Sequence, residues 1–262
     1  MTRAEAVAVG ALLLCACSAP SEPAAAPRAR GPGRIRPEVV ARHTRHLNTE
    51  LRARSAGSQA EGAAAAYILG HLQRAGYVAR LEAVPVADAV NSTDVISVPR
   101  SGGAPDAVVA VPYDAPVGDA GDGDGIGLFL ELARALAVAA PDHAVSFAAL
   151  GAERTAVGSG HLGARRLARV LNDQGHDPLV ITIERVGGPL EGGFGAFGSD
   201  VDGLRDAAER LEVPILALPA TEPDAGRELS GRAAVFAEAG LEHVAVTGGV
   251  DDVGRVLLEF LA

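Results

Sequence analysis

The sequence predicts an α/β domain, a three-layer α/β/α sandwich with a mixed, mostly parallel central sheet, and three observations predict it. Apolar runs of strand length at residues 108–111, 145–150, 179–184 and 244–247 alternate with segments of helical periodicity at 126–138, about 160–170 and 252–261. Runs that are apolar on both faces belong between helical layers, where parallel strands sit. Successive runs are also followed by carboxylates: Asp114 beyond the first, Glu153 beyond the second, and Glu184 closing the third. In open α/β sheets ligands collect outside the carboxyl ends of the strands. Asp114, the loop of Asp119, Asp122 and Asp124, and Glu153 are therefore expected to converge if the first two strands are neighbours. Finally, hydrophobic residues make up 48% of the chain, enough for residues 37–262 to bury one sizeable core.

The amino-terminal residues MTRAEAVAVGALLLCAC hold one arginine near the start and an apolar run over 6–14. That run is far short of the roughly 20 residues of a bilayer helix and reads as an export signal. Leu14-Cys15-Ala16-Cys17 resembles the bacterial lipoprotein box, which implies cleavage before Cys17 and a lipid on that residue. The expected division is a signal over 1–17, a tether rich in Pro, Ala and Arg over 18–36, and the α/β domain over 37–262. The chain is thus expected at the bacterial cell envelope, exported and lipid-anchored, on the periplasmic or outer-surface side. Both cysteines lie in the signal, so residues 18–262 offer no disulfide, thiolate nucleophile or Cys-ligated zinc. A net charge of −10, six Phe, three Tyr and no Trp argue against a nucleic-acid partner. Expected partners are a membrane, through the lipid, and a possible peptide or protein ligand.

In chain order, Pro37 suits a first helical turn, and Val39, Val40, Leu47 and Leu51 recur at loosely helical spacing over 37–52. His43 and His46 share this helix but have no third metal ligand nearby in sequence. Arg54-Ser55-Ala56-Gly57-Ser58 precedes an alanine-rich helix over 59–75 that closes in Gly76-Tyr77. Strands are expected at 78–86 and 95–98, with the polar Asn91-Ser92 between them. After the central elements, Gly193 to Gly198 matches G-x-G-x-x-G. As a dinucleotide signature it is weak, because it begins well past the strand end and lacks a second-strand acid. A helix at 200–211, a strand at 213–218 and the final strand and helix complete the chain. In the final helix Val256, Leu257, Phe260 and Leu261 share one side.

Five motifs stand in order: Arg54 to Ser58 before a helix ending in Gly76-Tyr77, Pro112-Tyr113-Asp114, Gly121 to Gly125 before Leu130-Glu131-Leu132-Ala133-Arg134, Glu153-Arg154 before Gly158-Ser159, and Ser230-Gly231-Arg232 ahead of Phe236 and Ala239-Gly240-Leu241. In that order they resemble the co-catalytic zinc aminopeptidase family (metallopeptidase family 28), which also contains glutaminyl cyclases and non-catalytic receptor ectodomains. The resemblance implies a metal site at the strand ends. Carried over residue by residue, the family's first His ligand falls on Pro112 and its bridging Asp on Gly121, or on Asp122 with the loop shifted by one. Its Glu ligand falls on Arg154, its second Asp on Glu184, and its last His on nothing, since no histidine follows His243.

Zinc hydrolysis of a peptide bond needs at least three well-placed ligands and a carboxylate to accept a proton from the bound water. By the resemblance Glu153 is the vestigial general base, Asp114 a positioning residue, and Asp114, Asp122 and Glu184 a residual acidic cluster. A buried set of carboxylates repels itself without a cation, so Arg154 and Arg232 are expected to replace the metal as counter-charges. No cofactor is then expected; zinc belongs to the alternative of an active metallo-aminopeptidase. A third expectation keeps the old substrate pocket for binding peptides without turnover. Other chemistries fail earlier. No G-x-S-x-G elbow occurs, Ser159 with His161 reads as a helix end, and Asp122, Asp124, Gly125 and Glu131 make only part of a calcium loop.

Overall fold

The structure, a computed structural model, describes residues 33–262 apart from 118–121, 140, 142, 156, 158–159, 188–191, 200 and 217–222, and the backbone alone for 223–230. The expected signal, most of the tether, Cys17, Asp119, Gly121, Gly158 and Ser159 lie outside the described residues. Two helices open the domain, α1 (Pro37–Thr49) and α2 (Gln59–Arg74). Pro37 and Glu38 suit the first turn of α1. Ser58 caps α2 by accepting the Glu61 N–H at 3.1 Å. A hairpin of β1 (Ala79–Ala87) and β2 (Val90–Ser97) follows, then β3 (Ala107–Pro112), α3 (Gly123–Ala139), β4 (Val145–Leu150), α4 (Leu162–Asp173) and β5 (Leu179–Val186). The chain ends with β6 (Phe194–Gly198), α5 (Asp202–Arg210), α6 (Pro223–Glu238), β7 (His243–Gly248) and α7 (Val250–Leu261).

One seven-stranded sheet runs in the order β1-β2-β4-β3-β5-β7-β6. The inner pairs β4–β3, β3–β5 and β5–β7 are parallel, and β1, β2 and β6 add antiparallel margins. Every residue of β3, β4 and β7 is buried, as expected for strands covered on both faces. Alternate residues divide between the two layers. Val109, Val111, Phe147, Ile181 and Val246 pack with α1, α2, α3, α5 and α7, while Val108, Ala110, Ala148 and Val180 pack with α4 and α6. Because β4 and β5 flank β3, the connections out of β3 and into β5 diverge at that strand, and the position beyond its carboxyl end is where such sheets place their crevice. Among the described residues no helix is long and apolar enough to cross a membrane.

Three expectations are corrected. Asn91 and Ser92 are not a connection; they lie in β2 opposite Pro85 and Val84. The reversal falls earlier, with Ala89 in the left-handed region at φ 59°. This half of β2 pairs with β1 and not with β4, so polar side chains fit there. Residues 213–216 form no strand beyond a single bridge from Ile215 to Phe194, because the Gly-rich 194–198 segment itself takes the place beside β7. Residues 223–238 form α6, which the spacing of apolar residues did not announce. Residues 33–36 pack against the domain. Gly33 lies against the Ala135 carbonyl, Ile35 is buried, and Arg36 donates to both oxygens of Glu131 at 2.8 and 3.2 Å.

Candidate functional site

The crevice beyond β3 is built from three strand ends and one helix. β4 and β3 lie in parallel register, with Pro112 opposite Leu150, so the residues that follow each strand come side by side. Pro112 itself has no donor for a metal. Asp114 accepts the backbone N–H of Arg154 at 2.8 Å through Oδ2, and its Oδ1 is buried without a hydrogen-bond partner among the described residues. Burial, helped by the nearby Glu153 charge, pushes the Asp114 carboxyl up to about 6 against the opposing amide and arginines.

Glu153 is reached through Gly151 and through Ala152, which is left-handed at φ 52°. A side chain at Gly151 would meet the Ser92 hydroxyl and the Thr93 carbonyl, so the turn hugs β2. The Glu153 side chain is buried, and both its oxygens are occupied. Oε1 accepts the Ala164 N–H at 2.8 Å; Oε2 accepts from Arg232 Nε at 2.6 Å and lies 3.2 Å from His161 Nδ1. Burial would raise this carboxyl, but the His161 hydrogen bond, the Arg232 charge and the Ala164 amide outweigh it and hold it below the ordinary range.

Arg232 stands at the centre. It rises from α6 into the crevice with only 2% of its surface exposed, its Nε on Glu153 and its Nη1 on Glu184, the acid near the end of β5. Burial opposes its charge, yet the two carboxylates together keep the guanidinium more firmly protonated than a free arginine. Its planar fork satisfies two acids on different strands, which an ammonium could do only as a point charge.

Asp122 opens α3, accepting the Gly125 N–H at 2.8 Å, as an N-terminal acid does. Burial, with Glu184 and Asp124 adding, pushes it up to about 6. Asp124 instead accepts from Thr44 on α1, and Glu131 points to Arg36 and Arg134, so the partial calcium loop does not assemble. Arg154 lies beside Asp114, its Nη1 3.5 Å from the Asp114 carbonyl, and lowers both Asp114 and Asp122 through its charge. Of the two arginines singled out in the sequence, Arg232 bridges the carboxylates and Arg154 borders them.

His161 also belongs to the site, a place the sequence did not give it. Gly160 and His161 are both left-handed, at φ 75° and 53°, and the resulting turn lets the His161 N–H reach the Glu153 carbonyl at 3.1 Å and its ring reach the carboxylate. The glycine before the histidine was the one available signal. His243 stands at the opposite end of its strand, stacked on Phe236 and bonded to Thr182 at 3.0 Å. His43 and His46 do acquire a neighbour: His71 of α2 meets the His43 ring at 4.6 Å, with Tyr67 between the helices. Even so, no three His, Cys, Asp or Glu side chains are arranged to hold a metal ion among the described residues.

The donor set therefore does not fit the zinc that the resemblance implies. Zinc needs at least three N, O or S donors around one point. Here the facing oxygens of Glu153 and Glu184 are already bridged by a fixed, buried cation, and neither Arg154 nor Pro112, where the resemblance puts two of the ligands, carries a side chain that can bind zinc.

No protein-family model matches the chain, and no curated protein is similar to it in sequence. Solved structures are similar to it in fold. A leucine aminopeptidase precursor from Bacteroides thetaiotaomicron superposes with a TM-score of 0.70 at 15% identity, covering 87% of this chain and 97% of that one. Porphyromonas gingivalis glutaminyl cyclase gives 0.71 at 15% identity over 87% and 98%. Glutaminyl cyclase from an Acidobacteriales bacterium gives 0.68 at 17% identity over 90% and 97%. The chain has the fold of the zinc-dependent exopeptidases and glutaminyl cyclases, as the order of its segments implied.

Proposed function

We propose that this chain is a catalytically degenerate counterpart of the zinc aminopeptidases, an envelope lipoprotein anchored through Cys17 whose domain serves binding or scaffolding instead of hydrolysis. The observation that carries the reading is Arg232, buried between Glu153 and Glu184 where the fold's chemistry would call for a dication. A general base must reach its water and hold a pKa near working pH. Glu153 does neither: its oxygens are spent on Ala164, Arg232 and His161, and its acidity is increased. The guanidinium neutralises the same charges that a metal would, without offering a Lewis-acid face. The internal cation thus serves structure.

The test is zinc content. The purified chain is equilibrated with zinc, desalted, and analysed by elemental mass spectrometry alongside assays with aminopeptidase and glutaminyl substrates. No retained zinc and no turnover are expected. Near-stoichiometric zinc with hydrolysis abolished by Glu153→Gln would overturn the reading and make the chain an active metallo-aminopeptidase.

A further inference from the structure

α1 lies across the beginning of α3. The Val40 carbonyl sits over Gly127, where an added Cβ would stand 2.8 Å from it, and Asn48 rests on Gly123. The Thr44 hydroxyl is 3.2 Å from the Gly123 carbonyl and 2.8 Å from the Asp124 carboxylate. α1 thus holds the first turn of α3, which Asp122 opens at the crevice. Towards α2 the same helix presents His43 and His46, and α2 answers with Tyr67 and His71. The rings pack closely: His43 meets His71 at 4.6 Å and Tyr67 at 5.8 Å, and Tyr67 lies 4.5 Å from both His46 and His71.

This cluster is built for neutral imidazoles. His43 is buried, and its Nδ1 lies 2.6 Å from the Tyr67 hydroxyl. A neutral ring accepts the hydroxyl proton there, whereas an imidazolium carries hydrogen on both nitrogens and must donate, so protonation reverses that bond. The charges facing the cluster oppose protonation. Arg42 and His46 of α1 and Arg74 of α2 are all basic. The acids facing it among the described residues are committed elsewhere: Glu131 of α3 to Arg36 and Arg134, Asp124 to Thr44, and Glu50 to His46 at 3.2 Å. Burial, with Arg42, His46 and Arg74 adding and Glu131 opposing, brings His43 down to about 4. Burial, then the His43, Arg74 and His46 charges, brings His71 down to about 4 as well. Once the helices part, both rings return to their ordinary value of about 6.5. The hold of α1 on α2 is therefore complete above that value and is lost as pH falls through it toward 4.

We propose that the seam between α1 and α2 is an acid-released clasp: protonation of His43 and His71 frees α1 from α2 and from the first turn of α3, and so loosens the Asp122 end of the crevice. The strands beneath do not follow. β3 and β4 are buried throughout and hold no histidine, so nothing within them answers to pH in this range. Access to the crevice is then greater in acidic than in neutral surroundings, whatever the crevice binds.

Hydrogen exchange read by mass spectrometry on the purified full chain tests this, each peptide being corrected for the pH dependence of intrinsic exchange. Each ring that regains its ordinary value favours the open form about 30-fold at pH 5. Between pH 7 and pH 5 the protection of residues 37–49 and 123–127 is expected to fall at least tenfold more than that of residues 107–112 and 145–150. His43→Gln together with His71→Gln should abolish the difference. A fall shared equally by helices and strands, or one that survives in the double variant, overturns the clasp. Should that variant not fold, nuclear magnetic resonance titration of the imidazoles in the native chain decides: His43 and His71 titrating near 4 uphold the clasp, and titration near 6.5 overturns it.

Discussion

Replacing Arg232 by methionine removes the cation and keeps the aliphatic bulk. Arg232 is 2% exposed, and its partners Glu153 and Glu184 are 2% and 4% exposed, so two carboxylates are left facing each other without water. Breaking a buried ion pair by deleting one partner costs about 3–5 kcal/mol. In a domain of this length each kcal/mol is about 2–4 °C of Tm, so a fall of about 6–20 °C is expected in thermal unfolding followed by circular dichroism. The loss must depend on pH. In the native chain Glu153 is held below its ordinary pKa, so its contribution is present above the unfolded value and is lost as pH falls through the folded one. Without Arg232 the Glu153 carboxyl keeps only the His161 hydrogen bond and the Ala164 amide against burial and moves up, so the penalty is full at pH 8 and relaxes as it protonates at lower pH. Adding Glu153→Gln and Glu184→Gln to the variant should restore much of the loss, since neutral side chains need no counter-charge. A single Arg232→Met variant that unfolds within about 2 °C of the native chain at pH 8, or whose loss ignores pH, would refute the reasoning.

Three further outcomes follow from the same geometry. Asp114 is 3% exposed with its pKa raised to about 6, so ionisation destabilises the fold as pH rises from about 4 to 6. Asp114→Asn keeps an acceptor for the Arg154 amide and should gain on the order of 2 kcal/mol at pH 7 and almost nothing at pH 4, read by urea unfolding. Gly163 packs its α-carbon against the Gly151 carbonyl, where an added Cβ would stand 2.5 Å from that oxygen. Gly163→Ala should therefore cost about 1–3 kcal/mol in the same titration, because the Gly151 backbone and the buried Asp94 carboxylate bonded to it cannot yield cheaply. Glu131→Gln weakens the hold on Arg36 and Arg134, and limited trypsin digestion should cut after Arg34 several-fold faster than in the native chain.

The central strands could be read from sequence because they are buried on both faces, so their runs are apolar without interruption, and the acids at Asp114, Glu153 and Glu184 punctuate them. The margins could not. β6 is glycine-rich because its backbone runs close to β7: a side chain at Gly198 would stand 2.1 Å from the His243 carbonyl, and β-branched residues are accordingly absent. α6 gave little signal because apolar Val235 and Phe236 gather in its last turns while its middle carries a charged residue inward. Arg232 was marked by its place in the order of segments, but only the fold brings it to Glu153 and Glu184, and His161 depended on two consecutive left-handed residues.

The bridge made by Arg232 also sets a sequence of events for the folding chain. Its partners lie 79 and 48 residues earlier, at the ends of β4 and β5, which can both pair with β3 before α6 exists. Until that helix docks, the two acids face each other uncompensated, so the half-formed sheet carries a charge that favours a loose crevice. Closure is then a late step, and contacts made after the rate-limiting barrier act chiefly on the rate of opening. Arg232 should therefore slow unfolding far more than it speeds folding: the residue that bridges the two acids works as a lock on the finished domain.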